Sequence, residues 1–231
     1  VCSSDLSSLL DNYSDLLCIG TVGDIVELKS ENRVFVKRGL VNIQESDRAG
    51  INALIETAGI AGKKITSGNV SFTLVPRINA VGRLGFSGKS VSLLLTDDEN
   101  EAMSIAKQLN EDNNERKEIG KNILMKIDEM VKANPHITND RVLVIDGEGW
   151  HQGVIGIVAA KVKEFFGKPT VIISRDGEEA KGSGRSVEGF SLCDAVFACS
   201  DLLTHFGGHP MAAGLSLKSK KIELFRQIIN E

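Results

Sequence analysis

A glycine-rich corner holds the densest set of chemically capable side chains in this sequence. Residues 147–153 contain the only tryptophan, Trp150, followed by His151 and Gln152. The apolar, β-branched run at 142–145 predicts a buried strand before the corner, and apolar residues at helical spacing follow it. A helix N-terminus presents unpaired N–H groups and the positive end of its dipole, so such a corner can bind an anion. An ordinary strand-to-helix turn with a solvated histidine is the alternative.

Two later stretches combine glycine with groups that bind phosphate. In Gly182–Ser186, glycines let a ligand approach closely while Ser183 and Arg185 supply a hydroxyl and a directional charge. A terminal phosphate suits this arrangement, and a glycine-weakened edge strand is the alternative. In residues 206–210, His209 follows two glycines and precedes a proline that favours an extended backbone. His209 can donate to a phosphate or have a structural role.

A third basic stretch lies in the first half of the chain. Within Pro76–Arg83, the side chains of Arg77, Asn79 and Arg83 stand among small residues. Guanidinium groups bind phosphate oxygens in a bidentate manner that lysine cannot reproduce. The stretch therefore favours a phosphate contact, with solvated arginines near a helix end as the alternative.

One carboxylate stands in apolar surroundings. Asp24 lies between Val22 and Ile25, directly after the run 16–23, which predicts a buried strand that breaks into a glycine-rich turn. A buried carboxylate requires a hydrogen bond, an ion pair or a metal. Asp24 therefore predicts either metal ligation or the capping of a following turn.

The composition is that of an ordinary globular protein. The chain has 231 residues, of which 42% are hydrophobic and 25% charged, so one or two domains with a sizeable core are expected. The four cysteines show no close pairing, which favours reduced thiols over a metal cluster or disulfides. No apolar run reaches the length needed to span a membrane, and no membrane partner is expected.

The negative charge is concentrated in one segment. The net charge is −4, yet residues 97–129 hold ten acidic and five basic residues, leaving 21 acidic and 22 basic residues elsewhere. The remainder thus permits a local basic groove. Apolar residues recur every three or four positions over 98–132, which predicts one or two long charged helices between two domains. A polar break at 110–116, with Asn113 and Arg116, predicts a solvated helix face or a hinge.

The remaining periodicities predict mainly helices before this segment and an α/β domain after it. The N-terminal part has helical patterns at 32–40 (which also reads locally as a strand), 51–58, 66–72 with Thr66 or Ser67 as its N-cap, and 87–96. The C-terminal part alternates strand and helix patterns: strands at 142–145, 170–174, 181–187 and 211–217, and helices at 153–166, 191–203 and 220–230.

Taken as an ordered set, these motifs resemble the RecJ-type single-strand-specific exonucleases of the DHH phosphoesterase superfamily. The stretch 149–159 is similar to the motif of the DHH-associated C-terminal domain. The stretches 76–83, 181–186 and 206–209 match the family in the expected order, and 19–26 is similar to the last metal-ligand motif of the catalytic domain. The resemblance extends roughly from Asp15 to Leu217.

The resemblance implies an α/β fold with two domains joined by a long helix. Residues 1–96 are expected to be the C-terminal part of a DHH catalytic domain and 97–135 the connecting helix. Residues 136–231 are expected to form the DHH-associated, substrate-binding domain with a mixed sheet. Residues 1–6 fit no element, and we expect them to be non-native.

The resemblance also implies a function. It predicts a metal-dependent 5′-to-3′ exonuclease of single-stranded DNA in repair and recombination, located in the cytoplasm, with a two-metal Mn²⁺ or Mg²⁺ centre. The expected partner is single-stranded DNA with a 5′-phosphorylated end. Asp24 is the implied metal ligand. The implied catalytic residues are Asp24, Arg83, His151 and His209. The implied phosphate-binding residues are Arg77, Asn79, Arg83, Gln152, Ser183, Arg185 and His209.

The sequence departs from the family in one respect. The upstream metal motifs, including the Asp-His-His triplet, are absent, so the chain by itself is expected to be inactive because one carboxylate cannot hold two hard cations. Two other interpretations stay open. One is a small DHH phosphodiesterase of oligoribonucleotides or cyclic dinucleotides. The other is a non-catalytic nucleic-acid-binding module, as in the C-terminal domain of alanyl-tRNA synthetases.

Overall fold

The computed structural model describes residues 3–85 and 88–231. Two compact units make up the chain, Val1–Arg116 and Lys117–Glu231, and their boundary falls within one long helix. Of the hexapeptide that we expect to be non-native, residues 1 and 2 lie outside the described residues. The same holds for Ser87, with which the predicted helix at 87–96 begins. Residues 3–6 belong to the first helix, so the prediction that they fit no element is wrong.

The first unit is helical. Its core is built on side chains that are fully buried, among them Ile43, Leu54, Leu74, Leu93 and Leu109. A π-helical turn (Val70–Leu74) joins α4 to α5. The helices are α1 (Ser3–Gly23), α2 (Ser30–Gln44), α3 (Ala49–Thr57), α4 (Ser67–Asn69), α5 (Val75–Leu84), α6 (Gly88–Leu95) and the first half of α7 (Glu99–Ala133).

Local signals at helix ends agree with the sequence prediction. Thr66 caps α4 with a capping box: its Oγ1 accepts from the Asn69 amide at 3.2 Å, and the Asn69 Oδ1 accepts from the Thr66 amide at 3.0 Å. After α3, Gly59 adopts a φ of +70°, which favours glycine. The ambiguous stretch 32–40 lies in α2 and is helical.

The strand predicted for 16–23 is wrong, because these residues form the last turns of α1. Cys18, Ile19 and Val22 are buried whereas Leu17 is 39% exposed, a pattern with helical period. Close packing against α2 decides the outcome, since a Cβ at Gly39 would lie 2.1 Å from the Ser14 carbonyl oxygen. Burial also raises the pKa of the Cys18 thiol to about 11, which keeps it neutral.

The second unit is a five-stranded mixed sheet with helices. The strand order is β1-β2-β3-β5-β4, with β1 and β2 parallel and all other pairs antiparallel. This confirms the predicted α/β class with a mixed sheet and a long helix. The elements are β1 (Leu143–Glu148), α8 (Gln152–Phe166), β2 (Thr170–Asp176), β3 (Glu179–Arg185), α9 (Leu192–Ala198), β4 (Leu203–His209), β5 (Ala212–Lys218) and α10 (Ile222–Ile228).

The two faces of this sheet are covered differently. One face packs on α9 and α10 through a cluster that includes Val171, Leu215 and Phe225. The opposite face packs on α8, which covers β1 and β2, where Ile145 and Ile172 are buried, and also reaches Ser183 and Arg185 of β3. Over β5, β4 and the rest of β3 that second face carries polar or small residues, so this part of it stays open.

Two sequence predictions in this unit need correction. The helix predicted for 191–203 ends at Ala198, and the strand β4, which the sequence analysis missed, follows at Leu203–His209. Every β4 side chain from Thr204 to His209 is exposed, so the strand carries no apolar alternation that could predict it. The β3 strand lies inside the sheet between β2 and β5, and it is not an edge strand.

The domain boundaries at 96/97 and 135/136 stay a prediction. Within residues 3–85 and 88–231, no helix combines the length and the apolar character needed to cross a bilayer.

Candidate functional site

The corner after β1 is the N-terminus of α8. His151 is the N-cap, and its Nδ1 accepts a hydrogen bond from the Gly153 amide at 3.2 Å. Because Nδ1 accepts, the proton of the neutral imidazole lies on Nε2. The half-buried ring can therefore donate from Nε2 to a ligand, while Gln152 is exposed in the first helical turn.

Trp150 fixes the shape of this corner. Its side chain is 5% exposed and belongs to the core under α8. A Cβ at Gly147 would lie 2.1 Å from the Trp150 Cε2 atom, so the indole packs directly on the β1 backbone. The hydroxyl of Ser174 donates to the Trp150 carbonyl. Trp150 thus acts as a structural anchor that places His151 and Gln152.

Ser183 and Arg185 lie beside α8. The Arg185 Nη1 donates to Ser183 Oγ at 3.2 Å and to the Gly184 carbonyl at 2.7 Å. A Cβ at Gly156 in α8 would lie 2.9 Å from Ser183 Oγ and 3.1 Å from Arg185 Nη2. The second turn of α8 therefore packs against both polar groups, one turn from the helix N-terminus that His151 caps.

The strand register extends the site toward the sheet edge. Arg185 pairs with Ala212, which pairs in turn with His209. Directly opposed residues in antiparallel strands point to the same face, so Arg185 and His209 share the open face, about 10 Å apart across β5. On the same face, a Cβ at Gly207 or at Gly214 would meet nothing within 4 Å, so this part of the surface is open.

Three residues on this face were not assigned to the site from the sequence. Lys181 pairs with Ser216, which pairs with His205, so all three point to the same side as Arg185. The alternation of Lys181, Ser183 and Arg185 along β3 was the signal that could have found the first of them. His205 could not be found in the same way, because β4 was not predicted as a strand.

We call this surface the open strip. Glu179, the one carboxylate on this side of β3, β5 and β4, lies beyond the strip at the end of β3 and pairs with Lys218. The strip itself holds the cations Lys181 and Arg185 and no carboxylate, so it suits a polyanion. It consists of Lys181, Ser183, Arg185, Ala212, Gly214, Ser216, His205, Gly207 and His209.

The remaining residues that the sequence analysis assigned to phosphate binding lie in the first unit, on α5. Arg77 is 9% exposed, and its Nε donates to Asn110 Oδ1 at 3.1 Å while Nη1 donates to the Thr73 carbonyl at 2.7 Å. Burial lowers the pKa of Arg77 because the charged form loses hydration. Asn79 and Arg83 are exposed on the same helix.

Asp24 is exposed, so the predicted burial of this carboxylate is wrong. The chain leaves α1 at Gly23, and the neighbouring Ile25 is 87% exposed with a φ of +56°. Among the residues that the structure describes, no three His, Cys, Asp or Glu side chains group closely enough to hold a metal ion. A two-metal centre needs several oxygen or imidazole ligands, so these residues do not fit one by themselves. Metal ligation by Asp24 stays a prediction.

One protein family and several known proteins are similar to this chain. Residues 139–231 match the DHHA1 domain model. The chain is 37% identical to the single-stranded-DNA-specific exonuclease RecJ of Bacillus subtilis, over 98% of this chain and 29% of that protein. It is also 37% identical to the RecJ of Escherichia coli, over 94% of this chain and 39% of that protein. The chain thus spans about a third of the length of these curated relatives.

Solved structures show the same relationship. RecJ from Thermus thermophilus in complex with Mn²⁺ superposes with a TM-score of 0.85 and 33% identity, over 96% of this chain and 32% of the other. An exonuclease RecJ bound to manganese superposes with a TM-score of 0.81 and 32% identity, over 96% and 54% of the two chains. By sequence and by fold, this chain belongs to the RecJ family.

Proposed function

We propose that this chain supplies the strand-binding part of an exonuclease that degrades single-stranded DNA, and that the open strip holds the 5′-phosphorylated end of the strand. The observation that carries the proposal is the packing of Gly156 against Ser183 and Arg185, because it places a hydroxyl and a guanidinium beside the second turn of α8, one turn from the helix N-terminus. Each of these groups favours a phosphate, and their combination suits a terminal phosphate with two negative charges.

The residues of this site would act by binding and orientation. Arg185 offers a charged donor, Ser183 a hydroxyl and His151 its Nε2–H. The glycines of β4 and β5 leave space for the nucleotides that follow the bound end. His209, at the far side of the strip, would contact the next phosphates. A strand held in this way is fixed at one end, which favours stepwise removal of nucleotides from that end.

The finer parts of the proposal rest on the family resemblance. They are 5′-to-3′ polarity, a role in DNA repair and recombination, a cytoplasmic location, and the assignment of Arg77, Asn79, Arg83 and Gln152 to phosphate contacts. We also propose that the enzyme uses Mn²⁺ or Mg²⁺, since related RecJ structures carry those ions. A divalent ion activates water for attack on a phosphodiester. The described residues do not hold such a centre alone, so the chain by itself is proposed to bind DNA without cutting it.

The test is fluorescence anisotropy with a single-stranded oligonucleotide that carries either a 5′ phosphate or a 5′ hydroxyl. We expect Arg185→Ala to weaken binding of the phosphorylated strand by about tenfold or more, because it removes a charge-assisted hydrogen bond. Binding of the hydroxyl strand should change much less.

Arg141→Ala is the matched control, since Arg141 is an exposed arginine of the same unit that donates to the Glu231 carbonyl. If Arg185→Ala and Arg141→Ala weaken both oligonucleotides equally, the open strip does not recognise the 5′ phosphate. Retention of tight binding by a cyclic dinucleotide, and not by the strand, would favour the small-phosphodiesterase alternative.

A further inference from the structure

In the first unit, basic and amide side chains line one side of α7 where it faces α5. Asn110, Asn113 and Arg116 follow one another at three-residue spacing, which puts them on neighbouring positions of the helix surface. Asn110 accepts a hydrogen bond from Arg77 of α5, so this side of α7 is directed toward α5. We call the set formed by Arg77, Arg83, Asn113 and Arg116 the arginine seam.

Asn113 is the unusual member of this set. Its side chain is 0% exposed, and among the described residues neither its Nδ2 nor its Oδ1 has a hydrogen-bond partner. The Nε of Arg116 is likewise buried without a partner. Buried polar groups are normally paired, because leaving one unpaired is costly. Asn113 and Arg116, three residues apart on one helix, therefore leave two donors and one acceptor available to a ligand.

The charge of the seam points to the class of that ligand. In the part of the chain that the structure describes, no carboxylate lies within ion-pair distance of Arg77, Arg83 or Arg116. Burial and the nearby charge of Arg83 both lower the pKa of Arg116. Three guanidinium groups without a counter-charge would be stabilised by an anion, and a guanidinium fork matches phosphate oxygens.

We propose that Asn113 and Arg116, together with Arg83 and Arg77, bind a phosphate group of the single strand. Asn113 would donate from Nδ2, and its Oδ1 would accept from a water molecule that accompanies the anion. This inference rests on the proposed function for its choice of ligand. It goes beyond that function, which already assigns Arg77 and Arg83 to phosphate contacts, by adding two residues of the long helix, Asn113 and Arg116, to the site.

The experiment follows the Nε–H resonance of Arg116 by NMR in the Arg185→Ala background, so that the open strip does not contribute. The resonance is identified by its loss in Arg116→Gln. We expect inorganic phosphate, added at constant ionic strength, to shift it. Asn113→Leu should weaken phosphate binding measured by this resonance, and Arg116→Gln should weaken it by about tenfold, measured by the Nε–H resonance of Arg83.

Lys107→Gln is the matched control, because Lys107 is an exposed residue of the same helix and unit and the change removes the same charge. A second measurement separates binding from folding. If the side-chain amide of Asn113 is paired only when a ligand is bound, Asn113→Leu does not lower the unfolding temperature in phosphate-free buffer, because it removes a buried unpaired group. If Asn113→Leu lowers it and phosphate does not shift Arg116, enclosed water satisfies the amide and the inference is overturned.

Two further ligands identify the source of the phosphate. An unphosphorylated single-stranded oligonucleotide that shifts Arg116 indicates an internal phosphodiester, whereas a shift with mononucleotide alone indicates a released product. If Arg116 does not respond although Arg185-dependent strand binding is intact, only this inference fails. If phosphate shifts Arg116 while the open strip binds no strand, the proposed function fails and the phosphate site stands.

Discussion

At position 156 the absence of a side chain sets the distance between α8 and β3. The Cβ of an alanine there would lie closer to Ser183 Oγ than real Cβ atoms come, at 2.9 Å, and 3.1 Å from Arg185 Nη2. Both obstructing groups are side chains, so the backbone can remain in place while the polar pair moves. The geometry of the phosphate site therefore depends on this glycine more than the fold does.

We predict that Gly156→Ala keeps the fold but weakens binding of a 5′-phosphorylated oligonucleotide severalfold, because it displaces Ser183 and Arg185. The matched control is Gly120→Ala on α7, where a Cβ would meet only Val154 Cγ1 at an ordinary 3.5 Å. Alanine at an unobstructed helical position stabilises by about 0.5–1 kcal/mol. Anisotropy and thermal unfolding measure the two effects, and equal binding by both variants would contradict this account.

At the scale of elements, the strand β4 is defined by its backbone rather than by its side chains. Gly207 and Gly208 are adjacent, yet their surroundings are opposite. A Cβ at Gly207 would meet nothing within 4 Å, whereas a Cβ at Gly208 would lie 2.2 Å from the Ala212 carbonyl oxygen. One glycine keeps the open strip clear and the other permits the β4–β5 pairing.

This contrast predicts different results for the same substitution at neighbouring positions. Gly208→Ala should destabilise the β4–β5 hairpin by about 2 kcal/mol or more, because a backbone atom cannot yield as a flexible side chain does. Gly207→Ala should stay within about 0.5 kcal/mol. Hydrogen exchange of the β4 and β5 amides measures both, and a larger loss of protection in Gly207→Ala would refute the assignment.

We predict that Gly207→Val folds but binds single-stranded DNA more weakly. The valine side chain would project into the part of the open strip that the nucleotides are proposed to occupy. Anisotropy with the 5′-phosphorylated oligonucleotide measures the effect. Unchanged affinity would show that the strand does not run over β4.

For the whole molecule, the two units carry different parts of the proposed chemistry. The second unit places Ser183, Arg185 and His209 on one face of its sheet, and His151 caps the helix that packs against Ser183 and Arg185. The first unit carries the arginine seam and an exposed Asp24, and the described residues contain no group of three potential metal ligands. The proposed recognition of a strand therefore does not require a metal centre among the described residues.

We predict that the purified chain binds single-stranded DNA in a salt-sensitive manner, because cation–phosphate contacts release counterions, but does not degrade it in the presence of Mn²⁺. The measurement is the release of nucleotides from a labelled strand, with and without a chelator. Degradation that the chelator abolishes would show that residues of this chain complete a metal centre. The Asp24→Asn variant is the control that would then identify its ligand.

The order of motifs along the chain was enough to predict the α/β class, the mixed sheet, the long helix and the family. The α/β class and the long helix follow from local patterns, namely the hydrophobic periodicity over α7 and α8 and the β-branched runs of β1 and β2, whereas the mixed sheet and the family came from the resemblance of the ordered motifs. The capping box at Thr66 belongs to the same category, since it is encoded within four residues.

Only the tertiary structure decided the rest. The apolar residues of 16–23 are compatible with either a strand or a helix, and packing of α1 against Gly39 of α2 selects the helix. The burial of Asn113 in a polar stretch, the exposure of Asp24 beside apolar residues, and the approach of Gly156 to Ser183 all depend on contacts between residues distant in sequence. Periodicity reports which side of an element is apolar, whereas the neighbours that cover that side are determined only when the chain has folded.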